Sequence, residues 1–97
     1  MAIVQLEHPI SSFEMWKQAF DRDPVRREES GVRRYRIFRP IDDPKFIAVD
    51  LEFDDVPAAE AFRTSLENLW RSPQAAPALG GATPRVRIVE SVESRDY

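Results

Sequence analysis

Apolar and polar residues alternate with a period of two along two neighbouring stretches of the chain, 32–39 and 46–53. In the second stretch Ile47, Val49 and Leu51 share one side, and charged or small residues occupy the other. This alternation is typical of a strand with one buried and one exposed face. The prolines and aspartates between the two stretches favour a surface turn, so the sequence predicts a β-hairpin.

The charges of the two strands predict how they pair. In an antiparallel hairpin, placing Arg36 opposite Asp50 also places Arg34 opposite Glu52. One face of the hairpin then carries pairs of opposite charge, and the other face is apolar. A shift by one residue would set Arg36 against Val49 and mix the two faces, so the pattern predicts the register as well as the strands.

The remaining segments predict helices and strands on both sides of the hairpin. Before the hairpin we expect a strand at 2–8, then a helix that begins with a Ser11–Glu14 capping box and a hydrophobic staple of Ile10 and Met15, and then a short helix at 23–30 that ends at Gly31. After the hairpin we expect a helix that follows Asp54 or Asp55 and runs to about 71. An irregular connection at 73–81 with one helical turn and a strand at 84–92 complete the chain. The buried stripes of the two long helices are predicted to be Phe13, Trp16 and Phe20, and Ala59, Phe62, Leu66 and Leu69 with Trp70 beside them.

The order strand, helix, strand, strand, helix, strand predicts an α+β fold, the ferredoxin-like βαββαβ plait. Its sheet has four antiparallel strands in the order 4-1-3-2, with both helices on one face. A chain of 97 residues is long enough for one core, so we expect a single domain over 1–97.

The sheet face without helices is predicted to bear both apolar and charged residues. Its predicted members are Ile3, Gln5, Glu7, Arg34, Arg36, Phe38, Phe46, Ala48, Asp50, Glu52, Arg87 and Val89. That is more apolar surface than a solvent-facing sheet needs. A second copy packed face to face would cover it and enclose a polar cavity between the sheets, so we predict a homodimer.

Composition narrows the class of function. The net charge is −3, and Asp50 and Glu52 on the bare face would repel phosphate, so no nucleic-acid partner is expected. The chain has no cysteine and one histidine, which leaves only carboxylates as metal ligands, so no metal site is predicted. Without a bilayer-length apolar run or a signal-peptide pattern, we expect no membrane partner and a cytoplasmic location.

The element order, together with His8-Pro9-Ile10, Phe13, Trp16 and the run 19–21, resembles the dimeric α/β-barrel superfamily. More narrowly, the chain resembles the antibiotic-biosynthesis monooxygenase-like proteins and their uncharacterised relatives. The resemblance implies a barrel formed by two subunits, with a ligand cavity between sheet and helices. It also implies chemistry without a cofactor, because known members include cofactor-independent oxygenases of aromatic polyketides, and others are cyclases or isomerases.

His8 is the candidate catalytic residue, because it alone has an unperturbed pKa near neutrality. It would act as a general base or hydrogen-bond donor at the mouth of the cavity. The alternative is a histidine bonded to a nearby backbone group or to the start of the helix.

Five further residues are candidates for lining a ligand cavity. They are Trp16, Arg36, Asp50, Glu52 and Trp70. The two tryptophans would contact an aromatic ligand, although aromatic residues on helix faces also form ordinary core. Asp50 and Glu52 could form an acid–base pair, but the predicted register already gives each of them an arginine.

Two functions remain open at this point. The first is a cofactor-independent monooxygenase or cyclase acting on an aromatic or polyketide-like small molecule. The second is a non-catalytic small-ligand-binding or accessory module. A closed cavity lined by His8 and an aromatic ring would favour the enzyme, and a cavity filled by side chains would favour the binding module.

Overall fold

A computed structural model describes residues 1–73 and 83–97 of the chain. Its elements are β1 (Ala2–Pro9), α1 (Phe13–Asp21), β2 (Arg34–Phe38), β3 (Phe46–Phe53), α2 (Val56–Trp70) and β4 (Arg85–Glu90). The predicted α+β order is confirmed. Much of the connection predicted at 73–81, with its helical turn, lies outside the described residues.

The four strands form one antiparallel sheet in the order β2-β3-β1-β4. This is the predicted order 4-1-3-2 read from the other edge. The hairpin register is also confirmed, since Arg36 lies opposite Asp50 and Arg34 opposite Glu52. Charge pairing and face separation therefore agree on one register.

The core lies between the sheet and the two helices. Its buried members are Ala2, Val4, Leu6, Ile10, Trp16, Ile47, Val49, Leu51, Phe53, Ala59, Phe62 and Leu66. Every second residue of β1 and β3 contributes to it, which is what one-sided burial of a strand requires. The opposite side of the sheet, here called the open face, carries the alternate residues.

The start of α1 differs from the prediction by one residue. Ser12, not Ser11, is the N-cap, and its hydroxyl accepts a hydrogen bond from the backbone N–H of Met15. Met15 is 49% exposed, whereas Ile10 is buried in the core. The local pattern found the helix, but packing of Ile10 and Trp16 into the core sets where it begins.

The prediction of a short helix at 23–30 was wrong. The segment is a series of turns, because Asp23 and Arg26 both have positive φ angles of 52° and 51°, which a right-handed helix does not accommodate. Arg27 fixes these turns by donating to the carbonyl of Phe20 at 2.8 Å. Its guanidinium also lies 3.9 Å from the centre of the Phe20 ring.

The start of α2 and the backbone conformation of Gly31 follow their predicted signals. Asp55 is the N-cap of α2 and accepts from the N–H of Ala58 at 2.9 Å, with Pro57 in the first turn. Gly31 has a φ of 100°, as predicted for a left-handed position. Among the described residues, no helix is long and apolar enough to cross a membrane.

Candidate functional site

His8 lies near the end of β1, on the side of the sheet that the helices cover. It is only 2% exposed and lies edge-on to Trp16, with 6.4 Å between the ring centres. Strand alternation places it there, since Val4 and Leu6 point the same way. The structure therefore brings together His8 and Trp16, two of the residues that the sequence singled out.

The hydrogen bonding of His8 assigns its tautomer. Nδ1 lies 2.8 Å from the backbone carbonyl of Pro9, and a carbonyl oxygen can only accept, so Nδ1 carries the proton. Nε2 is then the basic nitrogen of a neutral ring. Burial lowers the pKa of His8 below 6.5, which outweighs the opposing effect of the Pro9 carbonyl and favours this neutral form at pH 7.

Aromatic rings of α1 continue from His8 toward the edge of the sheet. Trp16 contacts Phe13 and stacks on Phe20, with ring centres 6.0 and 5.0 Å apart. Phe20 in turn meets the edge of Tyr35 at 5.0 Å. Trp70, on α2, is partly buried against the core. These rings fill space between helix and sheet that a ligand would otherwise occupy.

The other predicted residues lie on the open face, across the sheet from His8. Arg34 donates two hydrogen bonds to the carboxylate of Glu52, at 2.7 and 3.2 Å. Glu52 is 7% exposed, and this bidentate pair holds the pKa of its carboxyl below the ordinary 4.5. Glu52 is therefore a paired anion, which suits structure better than proton transfer.

Asp50 is less well paired than Glu52. Within the described residues its carboxylate forms no ion pair, although Arg36 lies directly opposite on β2. Burial raises the pKa of Asp50 above 3.8, Glu52 adds to that effect, and Arg36 and Arg87 oppose it. The predicted cross-strand position of Arg36 is confirmed, but a direct salt bridge does not accompany it.

An open depression of about 460 Å³ lies beside Asp50 on the open face. It is lined by both polar and apolar residues: Gln5, Leu6, Glu7, Ala48, Asp50, Arg85, Val86 and Arg87. A second depression of about 520 Å³ lies at the β2 edge, beside Tyr35 and Arg33. Neither of these two depressions reaches His8.

Sequence reasoning placed Arg87 and Val89 of β4 on the open face but did not predict the contacts of β4 side chains with β1. Arg87 donates to the amide oxygen of Gln5 at 3.0 Å, and Arg85 lies 3.6 Å from Glu7. The pairing of β1 with β4 joins residues about 80 positions apart, and neither strand carries the matched charge pattern of the hairpin. In the described part of the chain, no cluster of three or more potential metal ligands occurs.

No protein-family model matches this sequence, and no curated protein sequence matches it significantly. Solved structures do match. SnoaB, a cofactor-independent oxygenase from Streptomyces nogalater, superposes in a variant form with a TM-score of 0.73 at 13% identity, covering 96% of this chain and 94% of that one. This chain shares its fold with SnoaB and with the two structures described next.

Two further structures widen the comparison. A proposed antibiotic biosynthesis monooxygenase from Nitrosomonas europaea gives a TM-score of 0.70 at 18% identity, over 96% of this chain and all of that one. A dimeric ferredoxin-like protein from an uncultured marine organism gives 0.69 at 12% identity, over 97% of each chain. The resemblance seen in the sequence is thus confirmed at the level of the fold, which by itself does not determine a reaction.

Proposed function

We propose that this protein is a homodimeric, cofactor-independent oxygenase or cyclase that acts on an aromatic, polyketide-like small molecule. The supporting observation is the environment of His8: a buried, neutral imidazole whose Nδ1 is bonded to the carbonyl of Pro9 and whose ring lies edge-on to Trp16. The fold in which it lies is shared with SnoaB, a cofactor-independent oxygenase.

The proposed reaction requires only two things of the protein: a base and a surface that binds the substrate. Nε2 of His8 would remove a proton from an acidic C–H of the substrate, leaving a carbanion stabilised by the aromatic system. That carbanion supplies the electrons that reduce dioxygen. For an anthrone, one oxygen atom ends in the new carbonyl and the other leaves as water with the two hydrogens of the methylene group.

The direct test is to incubate the purified protein with an anthrone under oxygen and follow oxygen uptake and quinone formation. We expect one molecule of oxygen consumed for each quinone formed, and at least a tenfold loss of rate in His8→Gln, since general-base catalysis contributes roughly 10²–10⁴-fold. Glu60→Gln, on the exposed side of α2, is the matched control. Equal rates in wild type and His8→Gln would remove His8 from the mechanism.

A non-catalytic binding module is the second candidate, and the packing around His8 favours it. Trp16, Phe13 and Phe20 stack into the region beside the histidine, and both depressions described above lie elsewhere. Calorimetric titration with the same anthrone separates the two candidates. Binding without oxygen uptake or a cyclised product supports the module and contradicts the enzyme.

The proposed homodimer rests on a separate observation. The open face is one whole side of the sheet and includes Phe38, which is 47% exposed. A structural neighbour of nearly equal length is described as dimeric. Light scattering should give twice the 11.2 kDa mass of one chain at micromolar concentration. A mass of a single chain would contradict the dimer.

A further inference from the structure

The depression beside Asp50 is centred on a short side chain that lies among long ones. Ala48 is on the open face of β3, and the residues opposite it on β1 and β4 are Glu7 and Arg85. Asp50, two residues further along β3, points the same way. A methyl group between longer side chains leaves space at its own position, and the depression there has a volume of about 460 Å³.

The size of this depression matches a small organic molecule and not a bare inorganic ion. Its volume falls in the range of pockets that hold organic ligands. The Ala48 methyl group and the aliphatic stems of Arg85 and Arg87 offer apolar contacts to such a molecule. An inorganic ion would leave most of this space to water.

Arg87 is the lining residue best placed to bind an anion. Its Nε donates to the amide oxygen of Gln5 at 3.0 Å, which holds the guanidinium toward β1. Within the described residues Arg87 forms no ion pair, so its two terminal nitrogens remain for another acceptor. A guanidinium presents paired N–H groups whose spacing matches the two oxygens of a carboxylate, so the expected anion is a carboxylate.

The charges around this position leave one positive charge in excess. The strand register lines up one residue from each strand, in the order Arg36, Asp50, Gln5 and Arg87. Asp50 can balance only one of the two guanidiniums. The neighbouring carboxylates already have partners, since Glu52 pairs with Arg34 at 2.7 Å and Glu7 lies 3.6 Å from Arg85. Among the described residues, therefore, this row has a place for one further negative charge, which a monocarboxylate supplies.

Asp50 offers a second contact on the other side of the depression. An ionised carboxylate only accepts hydrogen bonds, so the matching ligand group is a donor. A hydroxyl donates without adding positive charge to a row that already has an excess. One strand, β1, separates Asp50 from Arg87, and two strand spacings are about 10 Å. The hydroxyl and the carboxylate therefore belong on different parts of the ligand, as at two positions of one ring.

We propose that the open face of each chain binds a small organic acid over Ala48, with its carboxylate on Arg87 and a hydroxyl group on Asp50. This site goes beyond the proposed oxygenase or cyclase, because the sheet separates it from His8. A second copy packed on the open face would close the depression into a cavity. The three residues that bind the acid nevertheless belong to one chain.

The test is calorimetric titration of the purified protein with 3-hydroxybenzoate near pH 7 and at low salt. We expect one molecule bound per chain. Removing the carboxylate, as in 3-hydroxybenzyl alcohol, should weaken binding roughly tenfold or more, since a hydrogen bond to a charged group contributes about that much. Removing the hydroxyl, as in benzoate, should weaken it roughly threefold or more. Inorganic phosphate should not displace 3-hydroxybenzoate.

Matched variants separate charge from space. Arg87→Gln should lower the affinity for 3-hydroxybenzoate roughly tenfold or more, whereas Arg22→Gln, which removes the same charge from the exposed end of α1, should not change it. Ala48→Leu fills the depression without altering any charge and should lower the affinity as much, while Ala48→Ser should retain binding. Asp50→Ala should abolish the preference for 3-hydroxybenzoate over benzoate.

Other outcomes overturn the proposal. These are no binding of 3-hydroxybenzoate at millimolar concentration, equal affinity in Arg87→Gln and wild type, or displacement of 3-hydroxybenzoate by phosphate. His8→Gln should bind 3-hydroxybenzoate as wild type does, and a loss in that variant would place the ligand beneath the helices. Because neither oxygen nor an anthrone is used, these results are separate from the success or failure of the oxygen-uptake assay.

Discussion

The chemical properties of individual residues in this protein depend on which side of the sheet they face. His8 and Asp50 are both on central strands, yet one lies beneath the helices and the other on the open face. Burial shifts both pKa values toward the neutral form, lowering that of His8 and raising that of Asp50. His8 gains a fixed tautomer from Pro9. Asp50 lies between Arg36 on β2 and Gln5 on β1, and within the described residues it forms no ion pair.

The lowered pKa of His8 predicts a pH-dependent stability with a definite sign. The unfolded chain binds a proton near pH 6.5 more readily than the folded one, so stability is fully present above about pH 6.5 and falls as pH drops below it. Urea unfolding about one pH unit above and below that value should show the loss in wild type. Because His8 is the only histidine, His8→Gln should abolish most of the difference.

If the free energy of unfolding depends on pH as strongly in His8→Gln as in wild type, the pH dependence comes from carboxylates. Asp50 contributes with the opposite sign, because its pKa is raised from 3.8 and the folded chain therefore binds this proton more readily than the unfolded chain. Asp50→Asn should thus remove a contribution to stability that grows as the pH falls.

At the scale of elements, local sequence signals predicted all four strands and both long helices that the structure contains. The aspartate pair at 54–55 illustrates this: the sequence placed the start of α2 there but left open which of the two is the cap. The structure assigns Asp55, because its carboxylate meets the N–H of Ala58 while Asp54 pairs with Arg33. The difference depends on Arg33, 21 residues earlier in the chain.

Asp55→Ala is expected to lower the free energy of unfolding by about 1 kcal/mol, since it leaves N–H groups at the start of α2 without a partner. Asp55→Asn keeps an accepting oxygen and should cost much less. Chemical denaturation of the three proteins measures the difference. An equal loss in both variants would attribute the effect to charge and not to capping.

Gly31→Ala should cost roughly 1 kcal/mol, because a φ of 100° is strained for a residue with a side chain. A Cβ there would meet Phe53 at 3.8 Å and Ala58 at 3.9 Å, which are ordinary contacts, so the cost comes from the backbone. Gly31→Asn should be milder, since asparagine accepts left-handed conformations more readily. Thermal unfolding of the two variants tests the order; a larger loss for Asn would point to crowding.

The segment at 23–30 shows how a tertiary contact overrides a local signal. Asp23 before Pro24 is a good helix start, but Asp23 is itself in the left-handed region. Its carboxylate accepts instead from the backbone of Arg27, whose guanidinium packs on the Phe20 and Tyr35 rings. That cation–π arrangement needs α1 and β2 to be in place, so no local pattern could have predicted it.

At the scale of the whole molecule, the open face is the surface through which we propose that the homodimer forms. Phe38→Ser should weaken the dimer at least tenfold, because about half of this ring is available for contact with a second copy. Met15→Ser removes a similarly exposed apolar side chain from the helix layer and should leave the dimer unchanged. Sedimentation over a concentration series measures both; equal effects would argue against the open face as the interface.

The match to a cofactor-independent oxygenase and to a dimeric ferredoxin-like protein shows how widely this fold is used. The function of this chain therefore depends on its side chains, not on its topology. In this chain the chemistry-bearing residues fall into two groups on opposite sides of one sheet: His8 with Trp16 beneath the helices, and Asp50 with its arginines on the open face.

The sequence by itself determined the four strands, the two long helices, their order and the hairpin register, because alternation, helical stripes and facing charges are properties of neighbouring residues. Only the tertiary structure decided the burial of His8 against Trp16, the choice of Asp55 over Asp54, the turns around Arg27 and the Gln5–Arg87 contact. Each of these depends on contacts between different elements of the fold, whether the residues are 7 apart, as Phe20 and Arg27 are, or 82 apart, as Gln5 and Arg87 are, and their meeting depends on how sheet and helices pack.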